Sequence, residues 1–242
     1  MIFPFFRKKE QHVFTLKTDL HSHLIPGIDD GSKNMKESLK LLKGLTNLGF
    51  EKVITTPHIM NDCYKNSREN IMYGLYALRE EAEKNGIETK VEAAAEYYLD
   101  DGFYAHLEAG DILTVGDNYL LFETSYVAKP LQFEEMVFAI ASAGYKPILA
   151  HPERYRYITD NEKTYKNMKE LGLFFQVNSN SFGGHYGKDA QKKAEYLNKE
   201  GMIDFLGSDI HHYKQVETLK IVHQTKQYQA IVTKNKILNH TL

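Results

Sequence analysis

Short apolar runs alternate with amphipathic stretches along almost the whole chain. "FTLKTDLH" reads as a first strand. It is followed by "NMKESLKLLKGLTNLG", where Leu39, Leu42, Leu45 and Leu48 fall at helical spacing and Gly49 marks a C-terminal stop. The alternation continues: strand "EKVITTPH", a helix ending at Gly86, then strands "TKVEAAAE" and "NYLLFE". Helix "LQFEEMVFAIASAG" leads to strand "KPILAH", "EKTYKNMKELG" to "LFFQVN", and "GKDAQKKAEYLNKEG" to "IDFLGSD". A last helix is expected from about Tyr213 into the 230s. About seven strand–helix units of roughly 25–40 residues predict an α/β fold with a parallel sheet. An open doubly wound sheet and a closed barrel share this pattern.

The strand ends separate the two. The apolar runs close, in order, on His21 and His23, His58, Glu96, Glu123, His151, Asn178, and Asp209 with His211. In a (β/α) barrel all strand C-termini meet at one face, where the site is built. An open sheet would spread these residues along a line too long for one site. Seven units instead of eight predict a distorted or incomplete barrel. Along an extended strand, residues i and i+2 face the same side, so His21 and His23 are expected to pair with Asp19 beside them.

Length, charge and cysteine count narrow the chemistry. A chain of 242 residues forms one large domain or two small ones and buries a core without staples. The formal charge of −2 gives no basic field for nucleic acid. The single cysteine, Cys63, excludes disulfide scaffolds and thiolate zinc sites within one chain and suits a reducing compartment. No segment approaches the length of a membrane span, and the N-terminal "MIFPFFRKKE" has the reverse order of a signal peptide. A cytoplasmic protein is expected. For Phe3, Phe5 and Phe6 the readings are packing on the domain or peripheral contact with a membrane. The domain boundaries expected are an extension over 1–14 and a single domain over 15–242.

Nine residues are candidate metal ligands: His21, His23, Asp30, His58, Glu96, Glu123, His151, Asp209 and His211. Imidazole and carboxylate without thiolate suit borderline-to-hard ions such as Mn, Fe, Zn or Co. Nine ligands exceed one ion and fit two or three. Against three divalent ions the four carboxylates leave a charge of roughly +2, which favours an anionic substrate such as a phosphate ester. Other designs fit poorly. "CYKNSR" is one residue short of a cysteine-phosphatase loop, and there is no G-x-x-x-x-G-K-[ST] or G-x-S-x-G motif. The glycine-rich "SFGGHYGK" reads as either a mobile active-site loop or a turn.

Together, "DLHSHLIPGIDDG", "TPHI", "AEYY", "LFET", "AHPERY" and "GSDIHH" resemble the PHP (polymerase and histidinol phosphatase) superfamily. The first motif and "AHPERY" more closely resemble the bacterial CpsB/CapC/YwqE-type protein-tyrosine phosphatases. The resemblance runs from about Lys17 to His212. It implies a distorted (β/α)7 TIM-like barrel, the PHP fold, with three divalent metal ions, manganese first and Fe, Zn, Co or Mg as alternatives. One ion takes His21, His23, Glu96 and Asp209; a second takes Glu96, Glu123 and His151; a third takes Asp30, His58 and His211. Asp30 and Glu123 stand where histidinol-phosphatase relatives place histidines, which favours the tyrosine-phosphatase branch.

The resemblance further implies a phosphotyrosine substrate on the tail of a bacterial tyrosine kinase that controls capsule or exopolysaccharide synthesis. That partner would place the protein at the inner face of the membrane. Arg154 matches the phosphate-holding arginine and joins Asp30 and His211 in the catalytic set. Lys214 stands near a second phosphate contact, as a point charge instead of a fork. Direct hydrolysis without a covalent enzyme intermediate is expected, with His185 a candidate proton donor. The alternatives are a histidinol-phosphate phosphatase, an amidohydrolase-like barrel, which lacks a strand-end lysine here, and a non-enzymatic kinase-tail-binding protein.

Overall fold

The β-branched and aromatic runs form nine short parallel strand segments in the computed structural model, which describes residues 16–242. The N-terminal extension and its phenylalanines lie outside the described residues. The segments are β1 (Thr18–Asp19), β2 (Lys52–Thr55), β3 (His58–Ile59), β4 (Lys90–Ala93), β5 (Glu96–Tyr98), β6 (Tyr119–Glu123), β7 (Lys146–Ala150), β8 (Phe174–Asn178) and β9 (Phe205–Gly207). They hydrogen-bond in the orders β1-β2-β4 and β3-β5-β6-β7-β8-β9. Pro57, which has no N–H to give a ladder, separates β2 from β3, and Ala94–Ala95 separate β4 from β5. The two sheets are therefore arcs of one ring of seven strands.

The ring closes through a single bridge between Ser22 and Ile210. The His23 N–H donates to the Ile210 carbonyl at 3.0 Å, and the Asp209 N–H donates to the His21 carbonyl at 2.8 Å. Asp19 fastens the same seam. Its carboxylate accepts from the Ser208 N–H at 2.8 Å and from the Ser208 hydroxyl at 2.5 Å. The sequence places Asp19 beside the histidine pair but not among the ligands; the structure keeps it next to His21 and uses both its oxygens to hold the first strand against the last.

Helices pack outside the ring: α1 (Met35–Asn47), α2 (Arg68–Lys84), α3 (Phe103–Ala109), α4 (Phe133–Ser142), α5 (Asn161–Glu170), α6 (Lys188–Lys199), α7 (Tyr213–His223) and α8 (Lys226–Lys234). Asn34 caps α1, accepting from the Glu37 N–H at 3.1 Å, so the Asp30 loop ends at a fixed point. The short α3 has no counterpart in the sequence reading. The expected single last helix is two, because Thr225 caps a new start at α8 by accepting from the Tyr228 N–H at 3.2 Å. Inside the ring, Leu20, Ile54, Ala94, Leu121, Ile148 and Phe205 form a small buried cluster. These residues fill the barrel as a packed core. A larger buried layer joins the strands to the helices.

One histidine of this outer layer sets a pH limit on stability. His223 stacks on Tyr228 with ring centroids 4.4 Å apart, and its buried Nε2 has no hydrogen-bond partner among the described residues. Burial lowers its pKa from 6.5 to about 4. The unfolded chain therefore binds this proton more tightly than the folded one. Stability is lost as pH falls through that window and levels off below it. His223→Phe keeps the stack and cannot take up a proton. Its urea midpoint should fall less than that of the parent between neutral pH and about pH 4.5, a gap worth about 2 kcal/mol. Parallel pH profiles would reject this assignment.

Candidate metal centre and active site

The parallel register assembles the site. Pairing sets His58 opposite Glu96, Tyr98 opposite Glu123, and Asn178 opposite Gly207, two residues before Asp209. His21 and His23 enter from the closing seam. All nine candidate ligands reach the C-terminal face of the ring. His21, His23, Glu96, Glu123, His151 and Asp209 are buried; Asp30 and His211 form the outer edge. His151 and Asp209 take positive φ of 34° and 50°, a conformation that non-glycine residues rarely adopt and that clusters at functional sites.

Glu96 is the centre. Its Oε2 lies 3.2 Å from His21 Nε2, 3.1 Å from His58 Nδ1 and 3.6 Å from His23 Nε2, and its Oε1 lies 3.0 Å from His151 Nε2. Glu123 approaches His58 Nδ1 at 3.2 Å and His151 Nε2 at 3.6 Å. On the outer side Asp30 Oδ1 lies 3.4 Å from His58 Nε2 and 3.2 Å from His211 Nε2. Asp209 Oδ1 faces His21, His23 and His211 at 3.6, 3.6 and 3.5 Å. Three sets could each hold an ion: His23, Asp30, His58 and His211; His21, His23 and Glu96; and His58, Glu96 and Glu123. His23 and His58 thus bring the groups inferred from the sequence into contact with one another.

The donor set fits divalent cations on chemical grounds. The His21 Nδ1–H donates to Gln176 Oε1 and the His23 Nδ1–H to Asp29 Oδ2, each at 2.8 Å. Both acceptors lack a proton to give, so in the neutral rings both Nε2 atoms carry lone pairs. Those two Nε2 atoms stand 3.3 Å apart and face Glu96. Acceptors that converge on acceptors need positive charge between them. His58 Nδ1, near two carboxylates, makes no well-formed hydrogen bond to either.

Protons meet the same demand. Burial lowers the His21 pKa, yet Glu96 and Asp209 outweigh it and raise it to about 9. His23, buried beside His211, falls to about 4. Burial favours neutral Asp30, but His211 and His58 hold it well below the usual carboxylate range.

Supporting residues fix these orientations, and several are absent from the sequence reading. Asp29, which is not among the candidate ligands, holds His23, and its other oxygen accepts from the Gly31 N–H at 2.9 Å. A Cβ on Gly31 would stand 2.4 Å from the His23 Cβ, so glycine alone permits this loop to close. Gln176 precedes Asn178 by two on β8 and faces the same way; strand alternation carries that signal. Asp209 Oδ2 accepts from Asn178 Nδ2 at 2.7 Å, Arg154 Nη1 at 2.8 Å and the Tyr186 hydroxyl at 3.2 Å, which turns Oδ1 toward the histidines.

Arg154 is clamped between Tyr126 and Tyr186, its guanidinium carbon 4.6 and 4.3 Å from the ring centroids. A cavity of about 270 Å³ opens beside it, lined also by Asp30, His185, His211 and Lys214. The "SFGGHYGK" segment starts inside a 3-10 helix (Ser179–Gly183), continues as a turn up to the start of α6, and supplies Tyr186. His185 reaches the cavity, but burial and Arg154 lower its pKa, which disfavours the proton-donor role. Cys63 is exposed and belongs to none of the metal-capable groups.

Fold and site together define a distorted α/β barrel whose strand ends gather histidines and carboxylates able to hold metal. The chain belongs to the CpsB/CapC family, described as capsular polysaccharide synthesis, whose model matches residues 17–234. It is 28% identical over 197 residues to the tyrosine-protein phosphatase YwqE of Bacillus subtilis, covering 81% of this chain and 78% of that protein. It is 29% identical over 201 residues to the tyrosine-protein phosphatase CpsB of Streptococcus pneumoniae, covering 80% and 82%. A solved structure from work on these two proteins, described as unique metal-dependent tyrosine phosphatases, superposes with a TM-score of 0.79 at 25% identity, covering 91% of this chain and 96% of that one. No helix among the described residues is long and apolar enough to cross a membrane.

Proposed function

We propose that this protein is a metal-dependent protein-tyrosine phosphatase that uses three divalent ions, manganese first, with Fe, Zn, Co and Mg also compatible with the donors. Its substrate is phosphotyrosine on a bacterial tyrosine kinase that regulates capsule or exopolysaccharide synthesis, reached from the cytoplasmic side of the membrane. The observation that carries the reading is the pair of His21 and His23 lone pairs, 3.3 Å apart and facing Glu96, with Arg154 beside the same site. His21, His23, Glu96 and Asp209 would hold one ion; Glu96, Glu123, His151 and His58 a second; Asp30, His58 and His211 a third, with His23 alongside.

When bound, the ions would supply Lewis acidity and a lowered pKa of water, the chemistry that direct hydrolysis at neutral pH requires. Arg154 offers its free N–H groups to the phosphoryl oxygens, its plane fixed by the two tyrosines, and Lys214 adds charge across the cavity. Tyrosinate, with a parent pKa of about 10, leaves with little help from an acid.

Thorough chelation should abolish turnover of a phosphotyrosine peptide, and added Mn should restore it, while Cys63→Ser keeps full activity. Activity that survives complete metal removal, checked by elemental analysis, would end the proposal. Faster turnover of histidinol phosphate than of the peptide would transfer it to the other branch. Asp29→Asn should weaken metal binding about 10- to 100-fold by freeing the His23 ring. A chelator-competition titration checks this, and an unchanged affinity would remove Asp29 from the supporting set.

A further inference from the structure

Helix α1 carries a row of charge that the phosphate site does not use. Lys36, Lys40 and Lys43 are exposed at i, i+4 and i+7, hence on one face. Many lysines elsewhere are paired: Lys84 with Glu80 and Glu81, Lys129 with Glu134, Lys146 with Asp117, Lys166 with Glu162. Among the described residues no carboxylate comes within 4.0 Å of any of the three α1 lysines. They edge a groove of about 550 Å³ between α1 and the end of α2, lined also by the apolar Met35, Leu39 and Ile87.

Nearby acids do not neutralise this edge. Glu81 lines the groove but its carboxylate is 2.8 Å from Lys84, and the Glu37 carboxylate accepts from the Lys33 N–H at 3.1 Å. On the other flank Lys40 Nζ sits 4.0 Å above the Tyr213 ring, beside Lys214 of the phosphate cavity; Glu217 is the acid of that helix. Helix α1 begins at Met35, so a short loop joins Asp30 at the rim of the site to the N-terminal end of the groove, while Glu81, Asn85 and Ile87 line it from the end of α2.

We propose that this groove binds the polypeptide flanking the substrate phosphotyrosine, and that the segment it selects is acidic, with carboxylate or further phosphorylated side chains on the lysines and an apolar side chain on the groove floor. The proposal rests on the reading of the rim as a phosphotyrosine site. From Lys36 to Lys43 the helix rises about 10 Å, the reach of roughly three extended residues. A concave groove with a recessed apolar floor suits an extended chain; a lipid surface would need the apolar groups to protrude. Lysines without a carboxylate partner among the described residues, on a chain of near-zero net charge, supply the complementarity.

The test uses the full chain and its triple variant Lys36→Glu/Lys40→Glu/Lys43→Glu, with matched thermal melts confirming the fold. Fluorescence anisotropy with a labelled, unphosphorylated Glu-rich peptide needs no turnover. The variant should bind at least about tenfold more weakly and lose most of the salt dependence. With a phosphotyrosine peptide carrying acidic flanks, KM should rise about tenfold while kcat holds and hydrolysis of p-nitrophenyl phosphate is unchanged. Equal peptide affinity of the two proteins overturns the proposal. So does a variant that loses only binding to phosphatidylserine vesicles, which assigns the lysines to a lipid surface. A parent protein that hydrolyses no phosphate ester, yet shows the anisotropy difference, removes the phosphatase reading and leaves the groove as an acidic-peptide site.

Discussion

Glu96→Gln should reduce turnover of a phosphotyrosine peptide at least about 10³-fold and deplete bound metal, with the fold kept. Glu96 is fully buried and is the carboxylate that meets four imidazoles: His21, His23, His58 and His151. Burial alone pushes its pKa up, but His21 and His58 draw it well below the ordinary range, so it stands ionised in the site. Glutamine keeps the shape and removes the charge. Its amide N–H₂ must also point at a ring nitrogen or at the place a cation would occupy, where a carboxylate oxygen now stands. Elemental analysis of the purified variant, beside steady-state kinetics and near-UV circular dichroism, reads all three effects. A variant with parental metal content and kcat would show that Glu96 is a structural acid only.

The second large effect is expected at Arg154. Arg154→Lys should lower kcat/KM about 10²-fold and Arg154→Ala about 10³-fold. The guanidinium lies between two tyrosine rings and gives Nη1 to Asp209 at 2.8 Å, leaving its other N–H groups for phosphate oxygens. An ammonium has no plane for the rings to hold and no fork. Arg154 also steadies Asp209, so part of the alanine effect passes through that carboxylate. Metal content separates the two contributions. A loss of rate with metal retained assigns Arg154 to the substrate; a parallel loss of metal assigns it to the support of Asp209. A lysine variant with parental kcat/KM would remove Arg154 from phosphate binding altogether.

Most of the candidate site was legible because a parallel barrel gathers the residues at its strand ends. His58, Glu96, Glu123 and His151 stand at strand boundaries, where a sequence pattern finds them. The role of Asp19 in the seam was not legible, because alternation gives the facing of a residue and not the partner it meets; its partner, Ser208, lies 189 residues away. Tyr126 and Tyr186 carry no periodic signal, since each sits on irregular backbone and meets Arg154 only after the ring closes. The break between α7 and α8 was missed because Thr225 reads as an ordinary helix-surface residue until its side chain is seen to cap the next start.

The sequence by itself determined the alternation of strand and helix, the chemical identity of the candidate ligands and their order around the ring. Those follow from local rules: a two-residue strand period, helical spacing, and metal-capable residue types at the strand ends. Only the tertiary structure decided which ligands share a cluster, which way each imidazole faces, and what holds them. His23 and His58 each belong to more than one cluster, Asp29 and Gln176 choose the ring tautomers, and three donors turn Asp209. The physical reason is that orientation is set by hydrogen bonds between strands far apart in the chain, and those exist only once the first strand is fastened to the last.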